Sequence, residues 1–127
     1  MNIQISNASS EPIYLQIKNR IKAAIISGDL KPDQKLPSIR FLAKELRISV
    51  ITTKRAYDEL EAEGFINSVQ GKGSFVSSQN KDLLREEQYR KVEDLLLKAI
   101  DQARLAGLSL DDLKEIIDTL GGEDSGR

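Results

Sequence analysis

The chain has 127 residues, among them 19 Lys or Arg and 20 Asp or Glu, and it contains neither Cys nor His. This composition excludes disulfides, thiolate metal sites and histidine-based catalysis, and apolar runs of at most four residues are too short to span a membrane. The net charge is −1, but residues 1–80 hold 11 Lys or Arg against 8 Asp or Glu whereas residues 81–127 hold 8 against 12, so only the first part suits a polyanion.

The first predicted helix spans residues 11–27. Ser9 or Ser10 can cap its first turn, and Gly28 follows its end as a C-terminal stop. Apolar residues recur at helical spacing and form one face, which contains Tyr14, Ile17, Ile21, Ala24 and Ile25. We therefore expect an amphipathic helix, followed by a loop with two prolines.

A second and a third helix follow in close succession. Ser38 caps the second, and Ser49 caps the third after a connection of only two residues. The third helix begins with the β-branched stretch "ISVITT" (48–53), which by propensity alone favours a strand. With helical spacing, the residues that fall on one side form a buried face, and Gly64 then ends the element. With strand alternation, the residues on one side are a mixture of polar and apolar types that cannot form a buried face. We therefore predict a helix with this buried face: Thr53, Ala56, Tyr57 and Leu60.

The second half of the chain begins with a β-hairpin. Residues 65–69 and 74–78 are short β-type runs that flank the glycine-rich tip "QGKG" (70–73). Two helices follow, one over residues 83–106 that ends at Gly107 and one over residues 110–120 that Ser109 caps.

These elements predict a mainly α-helical chain with a small β-hairpin wing. Two short helices joined by a tight turn, with a hairpin after them, are typical of a winged helix-turn-helix, whose third helix enters the DNA major groove. We therefore expect a DNA-binding domain at residues 1–78, a two-helix dimerisation segment at residues 79–120 and a disordered tail at residues 121–127.

The side chains left on the outward side of this unit are candidate DNA contacts. Lys54 and Arg55 can meet phosphates or guanine edges, and Val50 and Ile51 can meet thymine methyl groups. Lys72 lies between two glycines, where it can approach a minor groove. Phosphate contacts are expected at the two capped helix N-termini, from Ser38, Ser49 and Thr52.

At this point the sequence resembles the DNA-binding domain of GntR-type bacterial transcription regulators. The resemblance lies in "LPSIRFLAKEL", "AYDELEAEGFI" and "GKGSFV", in this order and spacing, and it covers about residues 11–78. It implies that Arg40, the start of the third helix and the wing from Gly71 to Gly73 contact double-stranded DNA. The short tail is similar to the YtrA-like branch, whose tails dimerise and whose members often regulate transporter operons.

Two residues depart from the pattern of this family. Arg47 stands in the turn where the family usually has Gly, so a non-glycine residue is expected in a left-handed conformation there. Val50 stands directly after the capping Ser49, where the family usually has Arg, so a guanine contact at that position is not carried over from the family.

The two tail helices carry an apolar stripe that steps by three and four residues. A lone two-helix segment cannot bury this area, so we expect it to pack against a second copy of the chain. The predicted homodimer contacts are Tyr89, Val92, Leu96, Ala99, Ile100, Ala103, Leu113, Ile116, Ile117 and Leu120.

Each of these signals has a plainer structural reading. Lys54 and Arg55 can form an ordinary solvated helix face, and Arg40 can pair with an acidic neighbour. The two wing glycines can serve the hairpin turn alone. The tail stripe can pack on its own domain instead of on a second chain.

The leading interpretation is a cytoplasmic, homodimeric repressor that binds an inverted-repeat operator without a cofactor or a metal. A winged helix that binds proteins is the alternative, because a pI near 5.6 is unusual for a DNA-binding protein. An enzyme is not expected, since no cluster of converging carboxylates is evident. The sequence leaves open whether a small-molecule effector exists.

Overall fold

A computed structural model describes residues 1–78 and 81–125 of the chain. The chain divides into two compact units, Met1–Arg85 and Glu86–Arg127. The elements in chain order are α1 (Ile13–Ser27), α2 (Ile39–Leu46), α3 (Val50–Ala62), β1 (Ile66–Val69), β2 (Gly73–Val76), α4 (Lys81–Leu105) and α5 (Leu110–Ser125). The predicted fold, a winged helix-turn-helix followed by two helices, is confirmed.

The first unit is built around α3, which packs against α1, α2 and β1. Its buried face consists of the four residues that periodicity predicted, so the β-branched start of this segment does not prevent a helix. The cap and the burial of this face offset the lower helix propensity of β-branched residues. The core around α3 includes Ile17, Ile21, Ile25, Leu30, Leu36, Leu42, Phe65, Ile66 and Val76.

The start of α1 differs from the prediction. Pro12 is the N-cap residue and makes no side-chain cap bond, and Ser9 instead accepts a hydrogen bond from the N–H of Glu11 through its Oγ. Gln16 fixes this entry, because its side chain accepts from the N–H of Ser6 and donates to the carbonyls of Ser6 and Glu11. A proline fits the cap of a helix because its missing N–H is not needed there. Neither predicted serine is therefore the cap.

The wing is an antiparallel hairpin with Val69 paired to Gly73. Gly73 belongs to β2, so the tip is shorter than the predicted tip by one residue. Beside β2, the segment before α2 adds backbone hydrogen bonds from the N–H of Leu36 to the carbonyl of Ser74 (2.8 Å) and from the N–H of Val76 to the carbonyl of Gln34 (2.8 Å). The hairpin is thereby held on both of its strands, by α3 on one side and by this segment on the other.

The first unit extends beyond residue 78, because Leu84 near the start of α4 lies in its core with 1% of its surface exposed. The second unit contains the rest of α4 and α5. Gly107 (φ 75°) follows α4, and the expected cap of α5 is confirmed, since Ser109 Oγ accepts from the N–H of Asp112 while the Asp112 carboxylate accepts from the N–H of Ser109.

The last helix is longer than predicted. It continues to Ser125, so most of the expected disordered tail is helical, and residues 126–127 lie outside the described residues. Gly121 and Gly122 lower helix propensity but keep their N–H groups and have no left-handed backbone, so they do not end the helix as a proline would. No helix in the described ranges is long and apolar enough to cross a membrane.

Candidate nucleic-acid interface

Two helix N-termini in the first unit carry side-chain caps. Ser38 Oγ accepts from the N–H of Phe41 at 3.0 Å, and Ser49 Oγ accepts from the N–H of Thr52 at 3.0 Å. Ser49 Oγ also lies 2.8 Å from Thr52 Oγ1, to which it donates. The remaining N–H groups of each first turn and the positive end of the helix dipole are available to an anion such as a phosphate.

A three-residue turn joins the two helices. Arg47 has φ 58° and ψ 47°, the left-handed conformation that its replacement of the usual glycine led us to expect. Its N–H donates to the carbonyls of Ala43 and Lys44, and the N–H of Ile48 donates to Ala43 at 3.0 Å. These bonds close the end of α2 and direct the chain into the cap of α3.

The N-terminal turn of α3 exposes apolar side chains. Ile51 is 81% exposed and Val50 is 44% exposed, whereas Thr53 and Ala56 are completely buried. An isoleucine exposed to this degree gains nothing for the stability of this unit, but its methyl groups can contact thymine in a major groove. The structure therefore places both candidate thymine contacts where a duplex can reach them.

Lys54 and Arg55 are more constrained than the sequence suggested. Lys54 pairs with Asp58 at 2.7 Å, and both side chains are more than half exposed. Arg55 pairs with Glu59 at 3.1 Å, and its guanidinium lies 3.7 Å from the centroid of the Tyr14 ring on α1. Lys54 can exchange an exposed carboxylate for a phosphate at little cost, whereas Arg55 also packs against α1.

A half-buried charge network joins α3 to α1. Lys18 pairs with Glu59 at 2.9 Å and with Glu63, and Lys22 pairs with Glu63 at 2.6 Å. Burial alone would lower the pKa of Lys18, but its hydrogen bonds to Glu63 and Glu59 outweigh burial and raise it. Hydrogen bonds from Lys18 and then Arg55 lower the pKa of Glu59. Opposite charges thus hold the C-terminal end of α3 in place on α1.

A buried hydroxyl fixes α3 on its other side. Tyr57 donates from its hydroxyl to the carbonyl of Pro37 at 2.8 Å, and burial raises the pKa of this hydroxyl. Pro37 directly precedes the cap of α2, so this bond ties α3 to the start of α2. This bond and the packing of α2 on α3 fix the two helices against each other.

The tip of the wing contains Gly71 and Lys72. Gly71 has φ 79° and open space around it, so its backbone conformation is the reason for glycine there. Gly73 has φ 120°, and a Cβ at this position would lie 3.2 Å from Cε of Lys35. Gly73 thus provides room for a second lysine against the wing. Sequence analysis missed Lys35, because only the pairing of its segment with β2 brings it there.

Arg40 lies exposed in the first turn of α2. Within residues 1–78 and 81–125 it makes no ion pair, so the alternative of an acidic neighbour finds no support among the described residues. The candidate DNA contacts all lie in the first unit. Their roles in DNA binding stay predictions.

The second unit leaves much of its apolar surface exposed. Among its described residues only Ala103 is buried, while Ala99, Ile100 and Leu113 are partly exposed. The remaining predicted dimer contacts are exposed by between 41% and 66% and comprise Tyr89, Val92, Leu96, Ile116, Ile117 and Leu120. Most of the stripe is therefore uncovered within its own unit, whereas Ala103, which was predicted as a dimer contact, is already buried there.

Comparison with known proteins places this geometry among bacterial regulators. Residues 13–76 match the model described as bacterial regulatory proteins, gntR family. The HTH-type transcriptional repressor YtrA of Bacillus subtilis (strain 168) is 37% identical over 124 residues, which cover 98% of this chain and 95% of that protein.

Two solved structures extend the comparison. A transcriptional antiterminator from Listeria monocytogenes EGD-e has a TM-score of 0.72 at 28% identity, over 95% of this chain and 90% of that one. AraR(DBD), crystallised in complex with operator ORX1, has a TM-score of 0.54 at 32% identity, over 61% of this chain and 96% of that one. The first likeness covers both units, and the second is to a chain that is bound to its operator.

Proposed function

The chain belongs to the gntR family of bacterial regulatory proteins, and from that membership we propose that it represses transcription as a homodimer bound to an inverted-repeat operator. DNA-binding regulation follows from the family. The repressor activity, the pairing of two chains and the form of the operator are the proposal.

One observation carries the proposal: the first turn of α3 is capped, its inner face is buried in the core and its outer side is exposed. Val50 and Ile51 expose methyl groups there, and Lys54 follows on the next turn with an ion pair that is easily exchanged. In the major groove this set reads thymine methyl groups and one guanine edge or phosphate. Because Val50 replaces the usual arginine, the operator is expected to carry a thymine at this position.

Groups that can bind DNA phosphates lie near the exposed side of α3. The N-termini of α2 and α3 supply free N–H groups beside Ser38 and Ser49, and Thr52 adds a hydroxyl. Arg40 adds an exposed guanidinium on α2. Two further positive charges come from Lys72 at the tip of the wing and from the missed Lys35, whose side chain lies beside Gly73.

Pairing through the second unit supplies what one copy lacks. An excess of three positive charges over residues 1–80 gives little non-specific affinity, and one winged helix reads only a few base pairs. A dimer with a two-fold axis through the exposed stripe of α4 and α5 doubles both the positive charge that faces the DNA and the number of base pairs that are read. The two-fold symmetry of such a dimer requires two half-sites in opposite orientation.

Selection of bound fragments from random duplex DNA tests this proposal. The expected result is an enriched inverted repeat whose half-sites lie about one helical turn or a multiple of it apart. Binding of the selected duplex should also weaken steeply as salt rises, because phosphate contacts release counterions. An enriched single half-site would exclude the symmetric dimer, and the absence of any enriched sequence would favour the protein-binding alternative.

A further inference from the structure

A cavity of about 450 Å³ lies in the first unit, at the end of α1. It contains none of the candidate DNA contacts. Its apolar lining comes from Ile25, Leu30, Pro32 and Val76, and its polar lining includes Ser77 and Ser78. Cavities of this size hold small organic molecules, and an apolar lining with a few charged groups is typical of sites that bind them.

Two lysines converge on this cavity. A Cβ placed on Gly28 would lie 3.5 Å from Nζ of Lys81 and 4.0 Å from Nζ of Lys31. Gly28 has no side chain, so both ammonium groups border the same open space, and both residues line the cavity. Two like charges brought together repel each other unless an anion lies between them.

Neither lysine has a carboxylate partner in the part of the chain that the structure describes. Asp29 and Asp33 lie close in sequence, yet their carboxylates form no ion pair with Lys31 or Lys81 there. Elsewhere in this unit the less exposed lysines Lys18 and Lys22 are each paired with glutamates. The pair at Gly28 is therefore a positive site without a built-in counter-charge.

We propose that this cavity binds a small amphipathic anion, an organic carboxylate or phosphate whose charged group lies between Lys31 and Lys81. Its apolar part covers Ile25, Leu30 and Val76. An inorganic anion satisfies the two ammonium groups but leaves the apolar lining in water, and a neutral apolar molecule does the reverse. Only a molecule with both parts matches the whole site. The proposal does not depend on DNA binding.

The site has a structural connection to the wing. Val76 is the last residue of β2. Its N–H donates to the carbonyl of Gln34 and its carbonyl accepts from the N–H of Asp33, both in the loop between α1 and α2. A ligand on Val76 thus contacts the base of the hairpin. Such a site, distinct from the candidate DNA contacts and next to the wing, has the chemistry and the position of an effector site.

The test uses the full-length chain and 8-anilinonaphthalene-1-sulfonate, which joins an aromatic body to a fixed negative charge. Its dissociation constant is measured by fluorescence titration for the native chain, for Lys31→Gln with Lys81→Gln, and for a control with Lys98→Gln and Lys114→Gln. The control removes the same charge from exposed lysines of the second unit. We expect the dissociation constant to be about tenfold larger in the Lys31→Gln, Lys81→Gln variant and unchanged in the control.

Two further probes separate charge from apolar contact. N-phenyl-1-naphthylamine, which lacks the sulfonate, should bind the native chain and the Lys31→Gln, Lys81→Gln variant alike, and inorganic phosphate should displace the sulfonate probe only at much higher concentration. Circular dichroism and thermal melting verify that each variant is folded.

The outcomes are decisive in both directions. The sulfonate probe can also bind the exposed apolar surface of the second unit, but that binding does not depend on Lys31 or Lys81. The titration is therefore fitted with two classes of site, and a titration in which neither class weakens in the Lys31→Gln, Lys81→Gln variant would overturn the proposal. Equal loss of the neutral probe would overturn the role of charge, and displacement by equimolar phosphate would overturn the role of the apolar lining.

Discussion

At the scale of single residues, the turn before α3 depends on an arginine in a conformation that usually belongs to glycine. Arg47 has φ 58°, and for residues with a Cβ this region costs roughly 1–2 kcal/mol. The cost is borne because the N–H of Arg47 closes α2 and the next two residues lead into the cap of α3. The sequence was sufficient to predict this conformation, because the prediction needed only the observation that Arg47 stands where the family usually has Gly.

Replacement of Arg47 by Gly should therefore stabilise the chain. Relief of the backbone strain favours the folded state, while the greater freedom of glycine in the unfolded chain opposes it, so we expect a net gain of about 0.5 kcal/mol in the free energy of unfolding. Urea denaturation measures it. Arg47→Ala is the control, because it removes the same side chain but keeps the strain. A lower stability of Arg47→Gly than of Arg47→Ala would show that the turn is adapted to a side chain.

Lys54 and Arg55 provide the second test at this scale. Both replacements by Ala should weaken operator binding, by about 1–3 kcal/mol where the side chain contacts a base. Only Arg55→Ala should also reduce stability, by about 0.5–1 kcal/mol, because it removes the contact with the Tyr14 ring. Fluorescence anisotropy and thermal melting measure the two effects, with Lys114→Ala in the second unit as the control. Native affinity in both variants would exclude α3 as the reading helix.

At the scale of the elements, local sequence signals predicted most helix caps and the buried face of α3, but they did not predict the contacts between distant segments. The caps at Ser38, Ser49 and Ser109 and the buried face of α3 follow from spacing over a single turn or two, and the structure confirms them. The contacts that sequence analysis missed join distant segments, such as Lys35 with the wing and Leu84 with the core. Periodicity within one element contains no information about which other element it meets.

The misjudged ends of the helices have a local reason. A serine in front of a proline can serve a turn or a cap with the same hydroxyl, and Ser9 serves the turn. Two glycines follow Leu120, where the predicted helix ends, but a glycine stop requires a left-handed backbone conformation, and neither glycine has it. In both places the composition allows two structures, and only the backbone decides between them.

Two adjacent leucines at the start of α4 test how far the first unit extends. Leu84 is 1% exposed whereas Leu83 is 51% exposed. Leu84→Ala should leave a cavity in the core and lower the free energy of unfolding by about 2–5 kcal/mol. Leu83→Ala, the matched control, should change it by about 0.5 kcal/mol or less. Equal effects of the two replacements in urea denaturation would show that α4 does not contribute to this core.

At the scale of the whole molecule, charge and exposed apolar area are divided between the two units. The first 80 residues have the positive excess and the candidate DNA contacts, while the remainder has a negative excess and exposed leucines and isoleucines. The negative charge of the second unit disfavours contact with DNA phosphates, and its exposed apolar surface favours association with a protein. The proposed homodimer uses both properties, because one unit then binds DNA and the other pairs the copies.

The proposed pairing predicts a specific effect of position around α4. Leu96, exposed by 41%, lies in the middle of the predicted stripe, and Leu97, exposed by 61%, lies about 100° further round the helix. Leu96→Asp should place an unpaired charge in the interface and produce monomers in sedimentation at tens of micromolar, with much weaker operator binding. Leu97→Asp should remain dimeric. A chain that ends at Arg85, the last residue of the first unit, should fold as a monomer and bind as weakly as Leu96→Asp. Sedimentation of the native chain as a monomer would refute the dimer and assign the exposed stripe to a different partner.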